Sequence, residues 1–469
     1  MKRRDFMRSA VAAAAGVTMT PVYATAKQES YFGKNIPVRY DVDVFVAGGG
    51  PAGIAAAVTA ARQGKKVFVA EEQSCFGGVG TAGGLFMFCF LGDDKIYMAE
   101  GIGREVHNRL REKNGLVPHP GKDTDREVIY KTEVLKIVYD EMVSESNALF
   151  SFCTHLIGVE TKKNNIDRVI CWGKSGVYAV KAKIYIDCTG DGDMAAWAGA
   201  PFEKGDDKGN MQPGTLVSMW GNIDWDKAEK NDCGLWQQQK HLEKAIADKV
   251  FSTEDRHLPG MCPAGKTTGY GNIGHAFGVD GTDERSITQG LLNSRKIIPE
   301  YEKFYKEYLK GYENMELVSS AAKLGIRETR RIMGDYKLTF DDYNTRASFP
   351  DEIGRYSYWL DLHPTIATKE SIAEHMDRAY HSPMKPGETY GIPYRSLTPK
   401  GLDNVLVAGR CISCDHIFLS AIRTMPGSFI TGQAAGMAAS LAVDNKTTTR
   451  GISTDDLRKK LKNFGAYLP

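Results

Sequence analysis

The stretch Val42-Asp43-Val44-Phe45-Val46-Ala47-Gly48-Gly49-Gly50-Pro51-Ala52-Gly53, with the alanine-rich run to Gln63 and then Val67-Phe68-Val69-Ala70-Glu71, decides the fold. Val42, Val44, Phe45 and Val46 are the β-branched and aromatic residues of a buried parallel strand. Gly48, Gly50 and Gly53 supply G-x-G-x-x-G. Pro51 and Ala52 lie in the turn, an alanine-rich helix follows over roughly Gly53 to Gln63 until Gly64 ends it, and Val67 to Val69 form the second strand. Glu71 then falls close to the spacing of about 20 residues that a dinucleotide-binding turn requires. Each part has a physical task. Gly48 permits the tight turn, Gly50 lets the backbone approach a pyrophosphate, and Gly53 lets the helix sit against the strand. The helix N-terminus offers free N–H groups to phosphate, and Glu71 can accept hydrogen bonds from a ribose diol.

No second fingerprint of this quality follows, whereas flavin reductases that use a pyridine nucleotide usually carry two. After Glu71 comes Cys75-Phe76-Gly77-Gly78-Val79-Gly80-Thr81-Ala82-Gly83-Gly84. Its glycines let backbone line a flat ligand closely, with Gly78 and Thr81 as candidate contacts. These features favour FAD over NAD as cofactor.

Two later segments extend the pattern. One is Ile184-Tyr185-Ile186-Asp187-Cys188-Thr189-Gly190-Asp191-Gly192-Asp193. The other runs from Asn404-Val405-Leu406-Val407-Ala408-Gly409-Arg410 through Arg423-Thr424-Met425-Pro426 to Gly432-Gln433-Ala434-Ala435-Gly436. With Gly325-Ile326-Arg327-Glu328-Thr329-Arg330-Arg331, they make residues of about 40 to 445 resemble the bacterial FAD-dependent oxidoreductase family. That family lies among the glutathione-reductase-like flavoproteins and is related to the flavoprotein subunit of heterodisulfide reductase. The resemblance implies an α/β fold: a Rossmann-like FAD-binding domain of glutathione-reductase type with an inserted mixed α+β substrate domain. It also implies that Thr189, Gly190 and Asp191 close a strand against the cofactor. Gly409 and Arg410 would pass the pyrophosphate and ribityl chain, and a helix from Pro426 through Gly432 would aim its N-terminus at the flavin. Reduced flavin is anionic at its pyrimidine edge, and a helix N-terminus stabilises such charge.

The first residues read as an address. Lys2-Arg3-Arg4-Asp5-Phe6-Met7-Arg8, the weakly apolar run Ala10–Met19 and Ala24-Thr25-Ala26 match a twin-arginine signal peptide over residues 1–26. The run is too short to span a bilayer, and the twin-arginine route exports folded proteins, which suits a cofactor acquired inside the cell. A periplasmic or exported protein is expected, with no transmembrane segment in the mature chain. The formal charge is +2, and nothing points to nucleic acid as partner. Nine cysteines include no run of the kind that ligates an iron–sulfur cluster. Only Cys75 stands where disulfide reductases of this fold carry a close pair. Cys411 and Cys414 form a lone C-x-x-C that is read as packing, and no metal is expected.

The organisation follows the motifs. Residues 27–38 are a linker, 39–203 and 401–446 form the FAD-binding domain, 204–400 the substrate domain, and 447–469 a helical tail started by Ser453 or Thr454. Helices are expected near Ile102–Lys113, Lys131–Ser144 and Pro299–Glu316. A hairpin-like run is expected over 156–186. The Arg327, Glu328, Arg330 and Arg331 group is read as a helix whose charge pairs brace the domain junction.

Hydride transfer from an alcohol or amine needs a base near the flavin. His363 is the first candidate, with Asp361 two residues before it, on the same side if the segment is a strand. His416 is second. Arg423 can bind a substrate carboxylate, Tyr394 can line the same cavity, and His275 is a weaker candidate. The expected function is an exported FAD-dependent oxidoreductase passing hydride between a small organic substrate and flavin N5. A separate acceptor or donor, a protein or a quinone, would serve the other half-reaction. The alternative is an electron-transfer subunit whose partner, or less readily this chain, carries iron–sulfur clusters.

Overall fold

A computed structural model describes residues 22–23, 35–118, 125–368 and 383–469. The twin-arginine residues and most of the expected linker lie outside them. Seven strands form the main sheet. Strand β1 (Val38–Ala47) leads through the glycine turn into α1 (Pro51–Arg62) and back to β2 (Val67–Ala70). Helices α2 (Ile102–Glu112) and α3 (Thr132–Glu145) precede β3 (Leu149–Ser151). The antiparallel β4 (His155–Lys162), β5 (Asn165–Gly173) and β6 (Gly176–Asp187) follow, close to the expected positions. Strand β7 (Val405–Val407) returns from far along the chain.

The parallel part has the order β3-β2-β1-β6-β7, with Val44 facing Val67 on one side and Ile184 on the other. Strand β6 serves two partners on its outer edge. Val177–Val180 pair with β5, and Tyr185–Asp187 pair with β7. The chain therefore forms an α/β fold with a Rossmann-like sheet, whose carboxyl ends gather Gly48, Glu71, Thr189 and Gly409 along one rim.

Helix α6 (Met425–Asp444), after the short α5 (His416–Ile422), lies directly on α1. A Cβ on Gly432 or Gly436 would come 2.2 and 2.3 Å from the Ala52 and Ala56 carbonyl oxygens. Gly432 is thus required by the helix contact, whatever its expected role at the cofactor. The tail helix α7 (Thr454–Phe464) is capped by Ser453, which accepts the Asp456 N–H.

A second core gathers Trp220, Met261, Tyr301, Phe304, Tyr305, Tyr312 and Met315. It is built on a four-stranded antiparallel sheet and on α4 (Glu284–Tyr308). Two expectations change here. Helix α4 begins at Glu284, capped by Asp283, and runs through Pro299. Proline removes one backbone hydrogen bond, but burial of Tyr301, Phe304 and Tyr305 carries the helix past it. The buried apolar residues from Ile332 to Leu360 and from Tyr390 to Leu397, expected in the substrate domain, pack into the main core. Gly354 abuts Ile430, and Tyr390 donates to the Ala421 carbonyl at 3.0 Å. Local sequence gives no sign of this, because those partners lie on α5 and α6.

Val22–Tyr23 pairs with Phe202–Glu203. Among the described residues no helix is long and apolar enough to cross a membrane. Replacing Gly436 by Val should destabilise the fold by about 1–3 kcal/mol through overpacking. This is read as a lower denaturant midpoint at unchanged slope; an unchanged midpoint would mean that the two helices can part freely.

Candidate functional site

The glycine turn can be tested for a ligand by asking what a side chain would strike. At Gly48, with φ +87°, a Cβ would lie 2.7 Å from the Cys188 carbonyl oxygen, and at Gly53 1.9 Å from that of Gly48. At Gly50 it would meet nothing within 4 Å. Two glycines are therefore required by the protein's own backbone. The third keeps open the space into which the first turn of α1 presents its N–H groups, which suits a pyrophosphate. Gly78 lies against Gly50, and the Gly77 N–H donates to the Gly49 carbonyl at 2.8 Å. Thr81 donates to the Phe76 carbonyl and so closes this loop internally. Glu71 is 4% exposed and accepts from Gly49 N–H at 2.6 Å and Gln73 N–H at 2.7 Å. Burial pushes its carboxyl upward.

The far wall is polar. Asp191 pairs with Arg410 at 2.7 Å and accepts from the Thr329 hydroxyl at 2.6 Å. Despite burial, Arg410 and Thr329 hold it below the usual carboxylate range. Gly190, at φ +81°, leaves room for the crossing Arg410 guanidinium. Thr189 donates to Asp187 at 2.8 Å and accepts from the Asp193 N–H. Gly409, at φ +82°, turns against Ala52 of α1.

Beyond the N-terminus of α6, four chain segments build a buried cluster. Arg423, just before the cap residue Thr424, donates from Nη2 to the Asp361 carboxylate at 2.9 Å. Asp361 Oδ1 lies 3.3 Å from His363 Nε2, and His363 Nδ1 lies 2.9 Å from His275 Nε2. His275 Nδ1 in turn meets the Asp255 carboxylate at 3.1 Å. His257 stands beside both rings. Burial, then Arg327 nearby, holds His363 well below its usual pKa. Burial and His275 bring His257 down to about 4. Arg327 is itself pulled down to about 10, by burial and then by Arg423. The Asp361 carboxyl, although half-buried, is held well below its usual range by His363 and Arg423. At neutral pH the imidazoles are uncharged and the two carboxylates ionised.

The sequence placed Asp361, His363 and Arg423 together, and the structure joins them, although through irregular backbone and not a strand. His275, the weaker candidate, is central. His416 belongs to a neighbouring network: Nδ1 meets Glu328 at 2.9 Å, and Glu328 also pairs with Arg331. Gln212 links the networks, donating its backbone N–H to Glu328 and accepting the His363 N–H. Tyr394 is a correction. Its hydroxyl is buried in the main core and donates to the Thr449 carbonyl at 2.7 Å, so it lines no cavity with His363. The Arg327–Arg331 group braces its neighbours as expected, but from a loop and the strand Arg330–Ile332, not a helix. Cys411 and Cys414 are both buried, with thiols pushed up by burial.

Asp255, His257, Gln212 and Arg327 were missed as members of this cluster. One signal existed: Asp255-Arg256-His257 repeats the Asp-x-His spacing of Asp361-Leu362-His363. Folding then exchanges partners, since Asp255 orients His275.

Gly50→Val tests the cradle, because its extended φ of −68° suits any residue and its surroundings are empty. The variant should fold with unchanged stability and lose the bound dinucleotide. Full retention of cofactor absorbance would place the cofactor elsewhere.

Residues 43–461 match the family model described as FAD dependent oxidoreductase. No curated protein matches the chain. Solved structures similar to it include the p-nitrophenol 4-monooxygenase PnpA of Pseudomonas putida, at 11% identity, 91% of this chain, 87% of that one and TM-score 0.46. Another is a geranylgeranyl bacteriochlorophyll reductase-like protein of Thermoplasma acidophilum, at 12%, 91%, 84% and 0.42. A third is the myxobacterial chondrochloren halogenase CndH, at 11%, 91%, 79% and 0.47. With the family match spanning nearly the whole described chain, this protein belongs to the FAD dependent oxidoreductase family and is an enzyme that uses FAD.

Proposed function

We propose that the enzyme transfers hydride between a small polar organic substrate and flavin N5, with the substrate held against the Arg423–Asp361–His363 cluster. The observation that carries this reading is Arg423. One face of its guanidinium is clamped by Asp361, while Nε is buried and has no hydrogen-bond partner among the described residues. An unsatisfied buried donor costs roughly 1–3 kcal/mol, and a substrate carboxylate or carbonyl oxygen would satisfy it. Arg423 directly precedes the cap of α6, the helix that the family resemblance aims at the flavin.

Bound FAD supplies a centre that accepts two electrons as hydride. It would be held by the Gly50 turn, Glu71, Gly78, Arg410 and the first turn of α6 at Pro426. The chain's own residues handle the remaining charge. Arg423 fixes the substrate's anionic or carbonyl oxygen. Uncharged imidazoles offer lone pairs to the proton that leaves the substrate's heteroatom, and Asp255 and Asp361 offset the positive charge so gained. Burial of the cluster excludes bulk water and strengthens each of these interactions. Phe90, Tyr358 and Trp359 form a ring cluster beside it, with Trp359 46% exposed. This is an apolar rim for the substrate's carbon frame.

The reading extends to the cell. The proposal includes a glutathione-reductase-type cofactor domain and export by the twin-arginine route, both supported by sequence motifs, and a separate protein or quinone acceptor. Val22–Tyr23 lies within residues 1–26, so removal of a signal peptide there would take this short strand from beside Phe202.

Substrates found by anaerobic bleaching of the bound flavin give the assay. Arg423→Ala should lower kcat/KM by about 100-fold or more, as should His363→Ala, with flavin content unchanged. Arg423→Lys should not rescue, because an ammonium lacks the guanidinium fork. Wild-type turnover in both alanine variants would remove this cluster from the active site.

A further inference from the structure

His257, His275 and His363 stand at the corners of a nearly equilateral triangle. Their ring centroids are 5.2, 4.8 and 5.0 Å apart. One ring nitrogen of each lies within 4.8 Å of the other two. From these distances we propose that the three imidazoles form a divalent transition-metal site of the zinc class, next to the cofactor domain.

Two further observations favour an ion over a cluster of core histidines. His275 presents Nε2 to the centre and turns Nδ1 to Asp255, while His363 presents Nδ1 and turns Nε2 to Asp361. A carboxylate behind each imidazole is the outer arrangement that orients and strengthens metal-bound histidine. His257 is half-buried and makes no ring-nitrogen hydrogen bond to any described residue. It stands against two imidazoles that are already oriented, and a ring nitrogen without a protein partner is available as the third ligand.

Neutral nitrogen donors in a tetrahedral set suit Zn2+, and other first-row divalent ions follow by affinity. Three protein ligands leave a fourth position for water or a substrate oxygen, as in catalytic rather than structural zinc sites. The charges nearby are balanced before an ion enters, with Asp255 and Asp361 against Arg327 and Arg423. An anionic oxygen at the fourth position would offset the ion's charge, and Arg423 lies where such a ligand would also be held. On this assignment the contact between His275 and His363 belongs to the metal-free protein, and both lone pairs turn to the ion when it binds. The base role proposed above for the uncharged imidazoles belongs to the metal-free protein, since with an ion bound their lone pairs are ligands. The test of the metal site needs no turnover and so fails or succeeds separately from that reading.

The test is metal content of the full flavoprotein. Purified enzyme is stripped with a chelator, reloaded with Zn2+, desalted and measured by mass spectrometry beside its flavin absorbance. One Zn2+ per chain is expected in the wild type and in the control His241→Ala, which alters a histidine outside the cluster. His257→Ala and His275→Ala should lose the ion while keeping FAD. Asp255→Asn, which keeps all three ligands and guards against a misfolded variant, should weaken Zn2+ affinity about 10- to 100-fold. Failure of the wild type to retain Zn2+, or equal retention by His257→Ala and His275→Ala, would overturn the assignment.

Discussion

The contact between α1 and α6 is the constraint on which the rest of the molecule depends. Gly432 and Gly436 let α6 meet the backbone carbonyls of Ala52 and Ala56 directly. The first turn of α1 is also the wall of the glycine cradle, so one contact sets two things. It holds α1 at the height where Gly50 leaves space for a pyrophosphate. It also fixes where α6 begins, and with it Thr424, Arg423 and the start of the buried charged cluster. At Gly432 and Gly436 no side chain separates the two backbones, so close packing there couples the position of the cofactor wall to that of the substrate wall.

The cluster is costly by any simple measure of burial. Two carboxylates, two guanidiniums and three imidazoles sit where water is scarce. Such groups persist when each is paired, because breaking one pair leaves an uncompensated charge. Here pairing is nearly complete and crosses the chain repeatedly. Arg327 reaches the Pro213 carbonyl and Thr215, Gln212 joins Glu328 to His363, and Arg423 holds Asp361. The exceptions are informative. Arg423 Nε and Gln212 Nε2 are buried donors without partners among the described residues, and His257 has none for its ring nitrogens. Unsatisfied groups gathered in one place mark where a ligand would complete the network.

How much of this was legible in the sequence depends on the range of the interaction. Gly48, Gly50, Gly53 and Glu71 could be read because the turn is local: strand, loop, helix and acid fall within about thirty residues, and each identity answers a short-range steric demand. The hairpin strands and α2, α3 and α7 follow from hydrophobic period and capping for the same reason. Pro299 misled because a breaker's effect is local, whereas the burial of Tyr301, Phe304 and Tyr305 that overrides it is tertiary. Gly432 misled in the other direction, since a glycine required by a distant helix looks the same as one required by a ligand.

The sequence by itself determined the nucleotide-binding α/β framework, the FAD cofactor and the pairing of Asp361 with His363, all of them written in residues close along the chain. Only the tertiary structure decided that His257, His275 and Asp255 join them, that Tyr394 does not, and that the apolar residues from Ile332 to Leu360 and from Tyr390 to Leu397 belong to the main core. Those choices rest on groups brought within 3 to 5 Å across separations of tens to more than a hundred residues. Charge pairing and close packing at that range leave no periodic trace in the chain.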